Sequence, residues 1–308
     1  MSRSTSSGSP EAYDAPAVAR EAGGPVKSHP RSAVALLTAC HPGPTAVVTM
    51  LALALALGVG APGGRAALAA SAVLAGQLSV GWSNDWIDAG RDATSGRTDK
   101  PTVAGRVTVA GLRRAALIAL AGCVLLSLAA GWVLPALVHL AAVASAWTYN
   151  LGLKSTPLSW LPYAVFFGLL PLFVIPAAVA GASVPAWVVL ATALLGVGAH
   201  VANTLPDLEE DRRTGVHGFP HRIGRRASSV LAPVILALAT AVIVLGPGHW
   251  PGPVGWAGMV LAGVLATAGG VVGNRRPHSR LPFTLSMAVA VVCVLLLVLL
   301  APDALAGG

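Results

Sequence analysis

The sequence predicts an all-α integral membrane protein of about nine transmembrane helices, one leading helix followed by two internal repeats of four. Three observations predict it. Hydrophobic residues fill 55% of the 308 positions and charged residues only 10%, where a soluble domain carries roughly 25% charged. Successive apolar stretches reach the roughly 20 residues that cross a bilayer. The basic residues crowd into alternate loops, as they do on one side of a multi-pass protein. The mean hydropathy of +0.73 agrees.

The first thirty or so residues are rich in Ser, Gly, Pro and Ala and lack apolar periodicity. They are expected to form a disordered tail over 1–31, leaving 32–308 as the transmembrane domain. They are not a secretory signal, because the apolar run that follows starts too late and is too long. Spanning segments are expected near 33–58, 66–86, 110–130, 133–151, 159–180, 185–206, 228–246, 254–273 and 282–302. Breakers separate them at Pro62-Gly63-Gly64, Gly131, Pro157, Gly181 to Pro185, Gly246 to Pro253 and Arg275 to Arg280. Gly131 is the weakest divide, so eight helices with one long hairpin is the alternative count. Cys40, Cys123 and Cys293 each sit in an apolar stretch without metal-ligand or disulfide spacing, and read as small buried hydrophobes.

Lys and Arg set the expected orientation. With the N-terminus in the cytoplasm, every basic residue except Arg65 falls on the inner side. One helix more or fewer before residue 200 would scatter these charges over both faces. The net charge of +8 therefore reflects membrane topology and not a nucleic-acid surface. The expected location is the cell membrane, with the N-terminus and the acidic loops cytoplasmic.

The twelve acidic residues carry the functional signal. Glu11, Asp14 and Glu21 lie in the tail and Asp303 near the C-terminus. The rest form two clusters, Asp85, Asp88, Asp92 and Asp99, then Asp207, Glu209, Glu210 and Asp211. Carboxylates are disfavoured near hydrocarbon, so two dense membrane-proximal clusters imply a site with its own counter-charge. Asn84, Asp88 and Asp92 are spaced i, i+4, i+8, with Asp85 three before Asp88, so all four share one helix face. Asn203, Asp207 and Asp211 repeat the spacing, and Glu209 and Glu210 turn away from that line. Like charges at i, i+4 weaken a helix, and a hard divalent ion between them explains the row; Mg²⁺ binds carboxylate oxygens and shares its sphere with substrate phosphates. A shift of 119 residues maps Asn84, Asp88, Asp92, Gly96 and Pro101 onto Asn203, Asp207, Asp211, Gly215 and Pro220. Four helices lie between the clusters, so both emerge on one side. Two facing rows at the mouth of a bundle could hold two cations with one diphosphate between them.

These residues resemble a known family. Asn84 to Asp92 (NDWIDAGRD) resembles the NDxxDxxxD motif of the UbiA superfamily of intramembrane prenyltransferases, and Asp207 to Gly215 (DLEEDRRTG) its DxxxDxxxG motif. Tyr149 to Thr156 is similar to the family's tyrosine–lysine stretch after the fourth helix. The resemblance spans roughly 33 to 302. It implies transfer of a prenyl group from a prenyl diphosphate to a lipophilic, usually aromatic, acceptor within the membrane. Asp85, Asp88, Asp92, Asp207 and Asp211 would bind Mg²⁺, with Asn84 fixing the first ion. Catalysis would rest on Asp88, Asp92, Asp207 and Asp211, with Tyr149 a candidate for acceptor contact or for cation stabilisation through its ring face.

The sequence departs from the family pattern in three places. Lys100-Pro101 stands where Arg-Pro is common, His217-Gly218 where Lys-Ser is common, and Gly152-Leu153 replaces basic or bulky residues and leaves Lys154 alone. The expected diphosphate cations are Lys100, Lys154 and Arg222, with Arg91 and Arg97 next. His41 and His200 are candidates for acceptor contact or for packing, and His139 and His249 read as structural. Trp82 and Trp86 flank the first motif as candidate interfacial residues. Two other functions fit part of the pattern. A UbiA-type intramembrane terpene cyclase would ionise the same substrate without a second one. A transporter suits a repeated architecture, but its site would lie near the bilayer midplane.

Overall fold

The computed structural model describes residues 30–95, 100–276 and 279–306. Arg97 and Asp99, and the expected tail up to residue 29, lie outside the described residues. Pro30 and Arg31, the last two positions assigned to that tail, instead open a helix. The elements are α1 (Pro30–Ala39), α2 (Pro42–Gly58), α3 (Gly63–Thr94), α4 (Val109–Ala130), α5 (Val133–Leu151), α6 (Leu161–Ala178), α7 (Ala186–Thr204), α8 (Leu208–Arg213), α9 (Phe219–Leu245), α10 (Pro253–Arg275) and α11 (Leu281–Ala306), with a 3₁₀ turn at Leu153–Ser155. There is no strand among the described residues.

Seven of these helices are long and apolar enough to cross a membrane, and α1 with α2, bent by 71°, make an eighth. The remaining expected segment, 133–151, is α5. It has 19 residues, but Trp147, Thr148, Tyr149 and Asn150 at its end dilute its apolarity. The expected first helix over 33–58 is not continuous. His41 adopts a left-handed conformation (φ 55°), Pro42 cannot continue the hydrogen-bond ladder, and the chain restarts as α2. Gly81 of α3 allows the close approach at this break: a Cβ there would lie 2.5 Å from the Cys40 carbonyl oxygen.

The packing follows the expected repeat. α3, α4, α5 and α6 are successive neighbours, as are α7, α9, α10 and α11, and α2 closes the assembly against α3, α6 and α11. Gly196 lets α7 meet α6, since a Cβ there would come 2.5 Å from the Tyr163 carbonyl oxygen. α3, α6, α7 and α9 are about half buried, whereas α4 and α10 lie at the periphery. Ile118, Leu125, Val260, Val264 and Leu299 are each more than half exposed, a display suited to lipid. The three cysteines are free and buried. His139 is buried as well, stacked on Phe173 at 4.3 Å and bonded to Ser127, which fits the structural role expected of it.

Candidate active site

The first aspartate row sits on a single rigid element. α3 has 32 residues and so runs roughly 48 Å, well beyond the roughly 30 Å of hydrocarbon. Its last turns therefore leave the apolar layer while the helix continues. Gln77, Val80, Gly81, Asn84, Asp88 and Asp92 recur every three or four residues and face one cavity of about 610 Å³. Asp85, between them, does not reach its wall. It is 1% exposed and held by Lys100 Nζ at 2.7 Å and His41 Nε2 at 3.3 Å.

The second row is built differently. Asn203, Asp207 and Asp211 all line the same cavity, but they do not share a helix. α7 ends at Thr204, the chain turns through Leu205-Pro206-Asp207, and α8 begins at Leu208. Pro206 supplies no N–H to the ladder, and although Leu205 keeps helical dihedrals, Asp207 departs from them with φ −105° and ψ 7°. Glu209 does turn away, as expected. Arg225 Nε binds it at 2.8 Å, and Arg225 also donates to the Leu205 carbonyl at 2.6 Å, which pins the turn to α9. His221 reaches Asp211 at 3.3 Å.

Lys100, Lys154 and Arg91 join the aspartates on the cavity wall. Lys154 comes from the 3₁₀ turn and contacts both oxygens of Asp88, Oδ2 at 2.6 Å; Arg91 lies 2.7 Å from the same Oδ2. Asp88 and Lys154 are each 7% exposed. Burial pushes the Lys154 ammonium below the usual lysine range, and the Asp88 carboxylate pulls it back up. Arg222 is not brought to the site: it is exposed and donates from Nε to the His217 carbonyl at 3.0 Å. Gly218 has a packing reason, because a Cβ there would meet the Lys154 carbonyl oxygen at 2.5 Å.

Below the charged mouth the cavity becomes apolar, lined by Val48 and Leu51 of α2, Phe166 and Phe167 of α6, Leu195 of α7 and Val294 of α11. Tyr149 and Tyr163 stand at the boundary, their rings edge to face at 5.3 Å. His200 packs behind Tyr163 at 4.7 Å and bonds Ser159 at 3.0 Å, so its place is in the packing and not on the cavity wall. Trp82 donates to the Leu36 carbonyl at 2.8 Å, and Trp86 packs on Trp147 with Arg113 over its ring. Both tryptophans thus fasten helices together.

Sequence reasoning passed over Asn150, Tyr163 and Gln77, and noted Asn203 only as part of the repeat. Asn150 carried the clearest signal, a polar residue at the end of an apolar helix beside Tyr149. Its Nδ2 bonds the Val80 carbonyl at 2.9 Å and Ser83 Oγ at 2.8 Å, and its Oδ1 accepts from Asn84 at 3.1 Å.

Among the described residues no three Asp, Glu, His or Cys side chains form a ready-made metal cage. Mg²⁺ does not require one, because it is held through one or two carboxylates, waters and substrate phosphates. The oxygens of Asn84, Asp88, Asp92, Asn203, Asp207 and Asp211 around one cavity fit that hard, shared mode of binding.

The chain belongs to the UbiA prenyltransferase family, whose sequence model matches residues 45–289. No curated protein matches it in sequence. Solved structures share its fold. The apo structure of a UbiA homologue from Aeropyrum pernix K1 gives a TM-score of 0.65 at 22% identity, covering 80% of this chain and 94% of that one. A UbiA homologue from Archaeoglobus fulgidus bound to GPP and Mg²⁺ gives 0.63 at 17%, covering 85% and 99%. A digeranylgeranylglyceryl phosphate synthase gives 0.61 at 15%, covering 88% and 99%. The chain is thus a multi-pass membrane protein with the UbiA fold.

Replacing Asn150 by Leu removes the ties between α5 and α3 and leaves the Asn84 amide unsupported. Thermal unfolding in detergent is expected to show a loss of about 1–3 kcal/mol. An unchanged melting curve would mean that these bonds do not fix the two helices.

Proposed function

We propose that this protein transfers a prenyl group from a Mg²⁺-bound prenyl diphosphate to a lipophilic, aromatic acceptor inside the membrane. The observation that carries the proposal is the meeting of both asparagine–aspartate rows with Arg91, Lys100 and Lys154 at the mouth of one apolar chamber. Family membership, and the relative bound to GPP and Mg²⁺, support the choice of donor and ion.

Each part of the wall then has a task. Asn84, Asp88, Asp92, Asp207 and Asp211 hold Mg²⁺, joined by Asn203. The ion supplies charge neutralisation of the leaving diphosphate. Arg91, Lys100 and Lys154 pair with phosphate oxygens by charge-assisted bonds. Asp85 acts through Lys100, which it aims at the mouth. Arg97 remains a candidate for the same clamp, whereas Arg222 is left to the loop it braces. The allylic C–O bond breaks and its electron pair leaves with the diphosphate. A ring carbon of the acceptor supplies the pair for the new C–C bond, and the displaced ring proton passes to the released diphosphate. Tyr149 presents its π system to the electron-poor carbon. The apolar wall excludes water, which would otherwise capture the cation.

Diphosphate release from geranyl, farnesyl and geranylgeranyl diphosphates, followed in nanodiscs with a panel of phenolic acceptors, tests this. Release should require Mg²⁺ and an acceptor, and should fall about 10²-fold or more in both Asp88→Asn and Asp207→Asn. Acceptor-independent release yielding a cyclic product would replace the transferase with a cyclase. Folded protein that neither binds nor turns over any prenyl diphosphate would refute both.

The loading of basic residues at this end supports a cytoplasmic mouth. With nine spans and a cytoplasmic N-terminus, alkaline phosphatase fused to the C-terminus should be active in a bacterial host and a fluorescent protein fused there should stay dark. The reverse pattern would invert the topology.

A further inference from the structure

The two aspartate rows repeat in sequence but differ in charge balance. Asp88 is held by two cations: Lys154 spans its two oxygens, with Oδ2 at 2.6 Å, and Arg91 lies 2.7 Å from the same Oδ2. Across the cavity the Asp207 side chain has no ion-pair or hydrogen-bond partner among the described residues, and Asp211 meets His221 at 3.3 Å. One row therefore carries built-in cations, and the other is open to a cation from solution.

An ammonium that spans both oxygens of a carboxylate occupies the lone pairs that a divalent ion would use. Displacing it leaves a buried positive charge that needs another anion at once. Asp92 shares the wall with Lys154, and the anion that arrives from outside to take the place of Asp88 is a phosphate oxygen of the substrate. Lysine suits the exchange, being a compact charge on a flexible stem that can turn from one oxygen ligand to another. Arg91 can follow, since its side chain is 28% exposed and also faces the cavity.

We propose that Lys154 keeps Asp88 closed to divalent cations until a diphosphate arrives, so that the first row takes its ion only together with the diphosphate while the Asp207–Asp211 row accepts one alone. This rests on the reading of the site as a prenyl-diphosphate site. It makes Lys154 a positioning residue that sets the order of loading, in addition to its place in the diphosphate clamp. The Mg²⁺ demand of the site is thereby tied to the presence of a leaving group.

Mn²⁺ binding to the full chain in nanodiscs, read by the EPR signal of free Mn²⁺, tests the order. The titration is made with and without an unreactive thiolo analogue of farnesyl diphosphate. The intact protein should bind one Mn²⁺ alone and two with the analogue. Lys154→Met should bind the second Mn²⁺ at least tenfold more tightly without the analogue, while its affinity for the analogue falls. Lys154→Arg should restore the block. Asp207→Asn should lose the ion that binds alone, and Asp88→Asn only the one that needs the analogue. A lysine with a purely structural role would not raise metal affinity when removed. Two ions bound without the analogue by the intact protein, or metal-only binding unchanged in Lys154→Met, would overturn the proposal. Folded protein that binds neither Mn²⁺ nor the analogue would overturn the diphosphate-site reading along with it.

Discussion

Asp88 and Lys154 are both buried and paired with each other, and Arg91 adds a second cation on Asp88. Removing one member of a buried pair typically costs about 3–5 kcal/mol, because the charge left behind has lost its water and its partner. Much of the polar end of the bundle is arranged around keeping them together. α3 must extend beyond the hydrocarbon to bring Asp88 to the mouth. The chain after α5 must reverse sharply to bring Lys154 back to it. Gly152 makes that reversal with φ 150°, a conformation that residues with a side chain rarely adopt. Gly218 then lets the start of α9 lie against the Lys154 carbonyl. Gly152 and Gly218, each within a departure from the family pattern, are thus backbone conditions for placing one lysine.

The repeat gives the site two halves of unlike build. The first row rides on an unbroken helix and is tied to its neighbour through Asn84 and Asn150. The second hangs on a proline turn and a six-residue helix, fastened by the pairing of Arg225 with Glu209. The chamber beneath draws on α2, α6 and α11, which bring no acid to the cavity wall, and on Leu195 of α7, the helix that also carries Asn203.

The sequence disclosed the membrane class, the two rows and their common side because each rests on local information: apolar length, residue spacing and charge position. Asp88, Asp92, Asp207, Asp211, Lys100 and Lys154 all reach one cavity as their motifs suggested. What was illegible depended on tertiary approach. The i, i+4, i+8 spacing of Asn203, Asp207 and Asp211 reads as helix, and only Pro206 hinted at the turn that breaks it. Asp85 lies on the aspartate face by spacing, yet it is drawn aside by Lys100 and by His41, whose position depends on the break between α1 and α2. Arg222 looked like a clamp residue because it follows the second motif, but its guanidinium serves the His217 carbonyl. Asn150 and Tyr163 had no motif to mark them and become visible only when α5 and α6 are laid beside α3.

The central claim is that both rows serve one metal–diphosphate group at the mouth of the chamber. The most direct test is an anomalous difference map from crystals grown with Mn²⁺ and an unreactive prenyl diphosphate analogue. Two peaks are expected between the Asn84–Asp92 and Asn203–Asp211 segments, with the diphosphate between them and the prenyl chain running toward Leu51 and Phe166. Peaks confined to one row, or a diphosphate bound away from Asp88 and Asp207, would contradict it.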